Sequence, residues 1–320
     1  MEDLIQEEEM VVTVSHHGYI KRNPISLYRA QRRGGKGKKG MTTREEDFVE
    51  ELFVASTHNS VLIFSSSGKV YWLKVHQIPQ VGRVARGQSI TNLVNMSGGE
   101  RIAAILPVRA FEEGQHIIMA TKKGVIKKTD LMAYSNPRAG GIIACTIDEG
   151  DELITCHLTD GSQEIFLATK NGQAIRFPEA DVRPMGRSAR GVRGITLKKK
   201  DEVIGMEVLS SKATMLTVAE RGYGKRSEIN DYRVQSRGGS GIINLKVTDR
   251  TGLVIGVKQV TENDDIMLVT DGGKVIRSRC KEISVIGRAT QGVRLINVDQ
   301  NEKVVSVATL AEDDEDEASE

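Results

Sequence analysis

The sequence has few aromatic residues and no long apolar run. Phe, Trp and Tyr together make up 4% of the 320 residues, so stacking platforms for the bases of single-stranded nucleic acid are weakly supported. No apolar stretch approaches the roughly 18 residues of a membrane-spanning helix. The N-terminus is acidic, which is unlike a secretory signal. We therefore expect a cytoplasmic protein.

Cysteine is also scarce. Cys145, Cys156 and Cys280 are odd in number and have no close spacing, which favours a reducing compartment. The six histidines and three cysteines show no C-x-x-C or H-x-x-x-H spacing, so we expect no metal site. The Gly-Gly-Lys at 34–36 lacks the rest of a nucleotide-binding loop. These absences predict a chain that has no cofactor of its own and is not an enzyme by itself.

The formal net charge of +2 hides an asymmetry. Residues 311–320 contain seven carboxylates and no cation, so the rest of the chain is more basic than the total suggests. A basic body with an acidic end indicates a polyanionic partner, with the end as a competitor for that partner or as a solubilising terminus. We expect residues 1–310 to form one domain and residues 311–320 a disordered acidic tail.

Glycine, in contrast, is abundant, with 32 residues, and it recurs with a period of about 50. In each of six units a short apolar run, a glycine and a second strand-like run follow one another, which predicts a hairpin. We call this residue the first glycine of its unit. The six copies are Gly18, Gly68, Gly124, Gly172, Gly222 and Gly273.

Three further positions follow the same period. A large residue stands ten positions after the first glycine, and we expect it in the core: Tyr28, Ile78, Tyr134, Val182, Tyr232 and Ile283. A second glycine recurs at Gly37, Gly87, Gly141, Gly191, Gly241 and Gly292. A later apolar position recurs at Leu52, Ile102, Leu153, Val203, Leu253 and Val304. Repeats of 40–50 residues with several short strands predict a radial all-β fold, as in propellers, with six blades.

The densest basic segment precedes the second glycine of the first unit. We call it the box, and its residues are Gln31, Arg32, Arg33, Gly34, Gly35, Lys36 and Gly37, followed by Lys38 and Lys39. Glycine lets the backbone approach a ligand closely, and the guanidinium fork of arginine matches phosphate. The box therefore suits a polyanion backbone.

Cations at two repeated positions predict a basic rim around the ring. Near the second glycine lie Arg83, Arg86, Arg138, Arg187, Arg190, Arg237 and Arg288, and the third unit departs with Pro137 and a shorter interval. Four residues after the first glycine lie Arg22, Lys128, Arg176, Arg226 and Arg277, with Trp72 in the second unit. A regular belt of cations suits double-stranded DNA, and no recognition helix or finger motif indicates base readout.

A different class of function stays open, namely a propeller-like scaffold that binds protein partners. The location of charge separates the two. A continuous cationic rim favours DNA, whereas an apolar top face with scattered charge favours a protein scaffold.

The box, the six repeats and the acidic tail together resemble the C-terminal domain of the DNA gyrase A subunit, over essentially the whole chain. This resemblance implies a six-bladed β-pinwheel with strands exchanged between blades. It also implies positive wrapping of duplex DNA around the basic rim, so that the holoenzyme introduces negative supercoils by ATP-dependent strand passage. All seven box positions match, whereas the box is degenerate or absent in the related topoisomerase IV domain, which is the alternative interpretation.

The resemblance also implies which partners the chain has and where in the cell it acts. Its partners would be double-stranded DNA, the gyrase B subunit, and the N-terminal cleavage region of the gyrase A subunit, in the bacterial cytoplasm on the chromosome. ATP and Mg²⁺ would belong to the holoenzyme, and the isolated domain would be a monomer.

Replacing Arg32, Arg33 and Lys36 with alanine tests the role of the box. Since the other rim cations remain, we expect the fold and much of the DNA binding to persist while full wrapping and holoenzyme supercoiling are lost. Circular dichroism, duplex binding and a supercoiling assay measure the three properties. Unchanged supercoiling by the variant would refute this role of the box.

Overall fold

The computed structural model describes residues 4–25, 47–82 and 85–310. The box, Lys38, Lys39, Arg83, Tyr28 and residues 311–320 lie outside the described residues. The described part is built from short strands: β1 (Glu9–Ser15), β2 (Tyr19–Pro24), β3 (Val49–Ser56), β4 (Ser60–Ser65), β5 (Lys69–Lys74), β6 (Gln88–Ser89), β7 (Ile102–Val108), β8 (His116–Thr121), β9 (Val125–Asp130), β10 (Ile142–Ile143), β11 (Leu153–Thr159), β12 (Glu164–Thr169), β13 (Gln173–Pro178), β14 (Val192–Arg193), β15 (Val203–Val208), β16 (Thr214–Ala219), β17 (Tyr223–Glu228), β18 (Ile242–Ile243), β19 (Val254–Val260), β20 (Asp265–Thr270), β21 (Val275–Arg279), β22 (Val293–Arg294) and β23 (Val304–Thr309). A one-turn helix, α1 (Ile90–Leu93), interrupts them.

The strands form six antiparallel sheets, one for each repeat. Their orders are β3-β1-β2-β6, β10-β5-β4-β7, β11-β8-β9-β14, β15-β12-β13-β18, β19-β16-β17-β22 and β21-β20-β23. In each four-stranded sheet, the hairpin around the first glycine supplies the two middle strands. In the three-stranded last sheet it supplies β20 and β21. The all-β, six-bladed fold predicted from the period is confirmed.

Each four-stranded blade also borrows its outermost strand from the following unit. Strand β14 of the fourth unit, for example, pairs with β9 of the third, with Val192 opposite Ile126 and Arg193 opposite Val125. The strands β6, β10, β18 and β22 make the same two-residue pairing. The predicted exchange of strands is therefore present, and it ties each of these neighbouring pairs of units together through main-chain hydrogen bonds.

The second glycines allow this exchange because the backbones approach closely there. Gly241 has φ +75°, and a Cβ atom at this position would lie 2.4 Å from the carbonyl oxygen of Ala174 in the preceding unit. The left-handed conformation and the lack of space both require glycine. The second glycine therefore recurs because this position makes a close contact between units as well as a turn.

The core lies between neighbouring blades. The large residues ten positions after the first glycine are buried wherever the structure describes them, at Ile78, Tyr134, Val182, Tyr232 and Ile283. Two of the aromatic rings pack edge to face against the adjoining hairpin, Tyr134 on Phe64 and Tyr232 on Phe166. The predicted core position is confirmed for these five units.

The later apolar position was predicted in the wrong register in two units. A bulge pairs Val49 with Ser15 in the first blade and Val254 with Ala219 in the fifth, just as it pairs Val203 with Thr169 in the fourth. Leu52 and Leu253 are therefore not the structural equivalents of Val203. The same bulge occurs in all six blades, so the error comes from the unequal lengths of the connecting segments, and the apolar neighbours in each strand hid it.

The innermost strands of the six blades surround a central cavity of about 490 Å³. Glu51, Lys258 and residues 305–307 are among the residues that line it. Burial and the neighbouring Glu50 raise the pKa of Glu51 to about 7. The charged groups of the cavity are thus separated from the outer edge by the width of a sheet.

None of the helices within the described residues has the length and apolar character that a membrane crossing requires. Within those ranges there is also no cluster of three or more His, Cys, Asp or Glu side chains arranged to hold a metal ion. The three cysteines are free and buried, and burial raises the pKa of the Cys280 thiol to about 12.

Gly241→Ala tests the close approach between units. The left-handed backbone alone costs about 1–3 kcal/mol for a residue with a side chain, and the Cβ would also collide with the carbonyl of Ala174. We therefore expect a fall of at least that size in the free energy of unfolding, measured by denaturant titration. Gly98→Ala is the control, because a Cβ there meets nothing within 4 Å. Equal stability of the two variants would contradict the account.

Candidate nucleic-acid interface

The cations four residues after the first glycine lie on the second strand of each hairpin, and several face inward. Lys128 and Arg226 are only 4% exposed. The Arg226 Nε donates to the carbonyl of Ile283 at 2.9 Å. The Lys128 Nζ donates to the carbonyl of Glu179 at 3.1 Å and lies 3.8 Å from its carboxylate. Both acceptors belong to the following unit.

In units one, two and four, the residue at this position also donates to a main-chain carbonyl of the following unit. The Arg22 Nε donates to the carbonyl of Ile78 at 2.7 Å, and an Nη of Arg176 donates to that of Tyr232 at 3.0 Å. In the second unit the indole Nε1 of Trp72 donates to the carbonyl of Tyr134 at 2.8 Å. What these residues share is an N–H donor rather than a positive charge, which explains the tryptophan.

This position was predicted as part of the DNA-binding rim, and the structure corrects that prediction. Lys128 and Arg226 are buried, and Arg22 and Arg176 are held against the neighbouring unit, so these side chains join blades instead of facing solvent. The sixth copy, Arg277, differs. Its side chain is 45% exposed, and its Nε lies 2.6 Å from the carboxylate of Asp265.

The arginines that precede the second glycine by four residues lie at the outer edge of the blades. One Nη of each donates to a main-chain carbonyl in the borrowed strand of the preceding unit. The pairs are Arg187 with Ile143 at 2.9 Å, Arg237 with Arg193 at 2.6 Å, and Arg288 with Ile243 at 2.8 Å. These side chains are half-buried. Equivalent residues in three successive units thus hold their guanidinium groups in the same way.

A second bond fixes two of these guanidinium groups further. The Nε of Arg237 donates to the carbonyl of Asp181 at 3.1 Å, and the Nε of Arg288 donates to that of Asp231 at 3.0 Å. Carbonyl partners orient the planar fork without neutralising its charge. Because arginine has five N–H donors, such a side chain is arranged in advance for an external anion.

The remaining described rim candidates have different surroundings. Arg138 is exposed in the short loop of the third unit. The guanidinium of Arg86 lies 3.6 Å from the centre of the Tyr19 ring, a cation–π contact. Arg190 is exposed and forms an ion pair of 2.9 Å with Asp148. The structure therefore does not bring all the predicted cations into one uniform row.

The sequence reasoning missed other cations on the same edge. Arg183 and Arg233 are exposed directly after the buried Val182 and Tyr232, and their recurrence eleven residues after the first glycine was an available signal. Arg294, on the borrowed strand β22, lies with Arg250 around Tyr223. Their guanidinium groups donate to the phenol oxygen at 2.7 and 2.8 Å, which lowers the pKa of Tyr223.

Comparison with known proteins agrees with this architecture unit by unit. The profile of the family described as "DNA gyrase C-terminal domain, beta-propeller" matches six successive segments of the chain, at residues 9–56, 59–109, 115–160, 163–210, 214–261 and 264–311. The chain belongs to this family. Each segment contains the hairpin and the inner strand of one blade, so the family repeat and the structural repeat coincide.

The related whole proteins come from bacterial gyrases. The chain is 49% identical over 317 residues to the A subunit of DNA gyrase from Salmonella typhimurium, covering 99% of this chain and 36% of that protein. It is 45% identical over 322 residues to the A subunit of DNA gyrase from Staphylococcus aureus, covering 100% of this chain and 36% of that protein. The chain thus spans about a third of the length of these relatives.

Solved structures of two related domains share the fold. The C-terminal domain of DNA topoisomerase IV matches with a TM-score of 0.86 at 25% identity, over 96% of this chain and 94% of the other. The DNA gyrase A C-terminal domain matches with a TM-score of 0.71, also at 25% identity, over 95% and 100%. The resemblance to the gyrase A family is confirmed, and its fold is common to the topoisomerase IV domain.

Trp72→Phe tests the donor position between blades. The variant keeps an aromatic ring but leaves the carbonyl of Tyr134 without this N–H donor, so we expect a loss of about 1 kcal/mol in the free energy of unfolding. Duplex affinity should not change, because the ring does not belong to the outer edge. Thermal unfolding and fluorescence anisotropy measure the two quantities. Unchanged stability would show that the bond contributes nothing.

Proposed function

We propose that this chain binds, bends and wraps double-stranded DNA around its outer edge without sequence preference, as the DNA-wrapping part of a DNA gyrase. One observation carries the proposal. Arg187, Arg237 and Arg288 recur at equivalent points of successive blades, each oriented by main-chain carbonyls of its neighbour. Family membership supports the same function.

The distribution of carboxylates supports DNA over a protein partner. Between the hairpin and the inner strand, every unit contains a continuous stretch without Asp or Glu, and in units two to six this stretch includes the borrowed strand. These acid-free segments are residues 24–44, 75–99, 131–147, 182–200, 232–248 and 283–298. Acidic residues are instead found in the hairpins, the inner strands and their turns. A connecting segment without carboxylates in every repeat favours a polyanion along the whole path.

Energetics explain why the contacts are distributed. Bending 20–30 bp of DNA by 40–90° costs on the order of 1–6 kcal/mol, and a path around several blades repeats this cost. Each neutralised phosphate releases counterions and offsets part of it. The short two-residue strands at the described edge are not elements that enter a groove as a recognition helix does, so shape and charge take the place of base readout.

The wider setting belongs to the same proposal. In the holoenzyme the chain would work with the gyrase B subunit, which would use ATP and Mg²⁺ elsewhere, and with the N-terminal cleavage region of the gyrase A subunit. We propose that this chain contributes no catalytic residue, is a monomer in isolation and acts in the bacterial cytoplasm. Its match to about a third of the gyrase A relatives supports this division of labour.

Replacing Arg187, Arg237 and Arg288 together with glutamine tests the proposed edge. Each phosphate contact contributes about 0.9 to the slope of log K against log salt, so the slope should fall by up to about 3. Fluorescence anisotropy with a duplex of tens of base pairs, over a series of salt concentrations, measures it.

The matched control removes three lysines that lie away from the outer edge. Lys170 and Lys303 pair with Glu202 and Glu220 near the hairpin turns, and Lys258 lines the central cavity. Their replacement by glutamine changes the net charge equally but should leave the slope nearly unchanged. An equal loss in both triple variants would contradict the proposed DNA path.

A further inference from the structure

Two lysines are buried without a charged partner. Lys127 and Lys225, three residues after the first glycine, are 1% and 0% exposed. The hydrogen bonds of both ammonium groups go to uncharged oxygens. Burying an unpaired charge is costly, so a lysine at such a position calls for a reason other than stability.

The acceptors of these ammonium groups are main-chain carbonyls of the outer-edge loops. The Lys127 Nζ donates to the carbonyl of Ala144 at 2.6 Å and also to that of Arg187. The Lys225 Nζ donates to the carbonyl of Gly287 and the hydroxyl of Ser227, both at 3.0 Å, and also to the carbonyl of Arg288. Each lysine therefore holds the peptide of an arginine whose guanidinium lies at the outer edge.

The lysine alternates with other side chains around the ring. Units one, three and five have Lys21, Lys127 and Lys225 at this position, whereas units two, four and six have Tyr71, Ile175 and Ile276. At this position, the lysine therefore recurs in every second unit.

The loop of the following unit alternates in step. Lys127 and Lys225 each face a Gly-Arg loop, at Gly186-Arg187 and Gly287-Arg288 respectively. Ile175 instead faces a loop that has glycine where the Gly-Arg loops have Ala189 and Thr290: a Cβ on Gly239 would lie 3.6 Å from Ile175. Each loop type thus matches the residue beneath it.

We propose that Lys127 and Lys225 are positioning residues for DNA binding, which fix the Gly-Arg loops of the next units with the arginine carbonyl turned inward and the guanidinium outward. This inference rests on the proposed function. The outer edge then has two alternating kinds of loop for DNA contact. One kind is held by a buried ammonium group, and the other packs closely through its glycines on an apolar side chain.

Lys225→Ile is the natural test, because isoleucine occupies this position in units four and six. The variant removes a costly buried charge but also leaves two carbonyls without this donor, so its melting temperature should stay near that of the wild type. Its affinity for a duplex of tens of base pairs at low salt should fall by roughly three- to tenfold, the loss of about one phosphate contact. Added to Arg288→Gln, it should cause little further loss, since both changes act on one contact.

Lys258→Met, in the innermost strand of the same blade, is the charge-matched control and should bind within about twofold of the wild type. A Lys225→Ile variant that binds like the wild type or like this control, or whose effect adds fully to that of Arg288→Gln, would overturn the inference. A wild-type chain that fails to bind the duplex would instead overturn the proposed function.

A rescue variant guards against misfolding of Lys225→Ile. Combining it with Gly287→Ser, Ala289→Gly and Thr290→Gly gives the sixth unit the Ser-Arg-Gly-Gly sequence of the fifth-unit loop, with the apolar residue that such a loop faces. This combination should restore most of the affinity, together with any melting temperature that the single change had lowered. A rescue variant that folds but binds no better than Lys225→Ile would contradict the matching of loop and lysine.

The pH profile of duplex affinity separates positioning from a purely structural role. Burial lowers the pKa of Lys127 to about 8 and that of Lys225 to about 7. The groups facing Lys225 are Asp231 and Arg288; Arg187, Cys145 and Cys156 face Lys127. Burial raises the pKa of both thiols, so they stay neutral in this range.

Above pH 7 the folded chain releases protons that the unfolded chain retains up to about pH 10.5, so these lysines make stability rise with pH. Positioning predicts the opposite trend for duplex affinity, which should fall between pH 6.5 and 9 as the ammonium groups lose their charge, and fall less in Lys225→Ile. Affinity that rises together with stability would overturn the inference.

Discussion

Hydrogen bonds from one unit into the main-chain carbonyls of the next are the constraint on which this structure depends. A single repeat has one hairpin and an inner strand, and it cannot bury its own apolar face. The N–H donor four residues after the first glycine closes each described junction up to the fifth unit, whether it comes from Arg226, Lys128 or Trp72. The borrowed two-residue strand closes the same junction at the outer edge.

The contacts at these junctions also fix the arginines of the outer edge. Arg187 and Arg288 each bond to the preceding unit through the guanidinium, and their carbonyls accept from a buried lysine of that unit. A cation held at two points loses less conformational freedom when it binds phosphate. The same contacts that assemble the ring therefore prepare the surface that we propose for DNA.

Features that repeat through backbone geometry could be predicted from the sequence alone. The period of the first glycine predicted the six hairpins, and the core position at Tyr134 and Tyr232 followed from the same frame. The role of a repeated cation could not be predicted in this way, because the same residue type can serve as a buried hydrogen-bond donor. Arg226 and Lys128 were predicted to lie on the rim, but they join blades instead. The misplacement of Leu52 and Leu253 could not be detected from the sequence, because their neighbours in the strand are also apolar.

If duplex DNA follows the outer edge, as we propose, with the positive handedness that the resemblance implies, the chain must change the linking number of a closed circle. The most direct test relaxes closed circular DNA with a topoisomerase in the presence of increasing amounts of this chain, removes the protein and resolves the topoisomers on a gel. The account predicts a positive shift in linking number that grows with the amount of bound protein, as positive wrapping requires. Binding without any shift, or a negative shift, would contradict it.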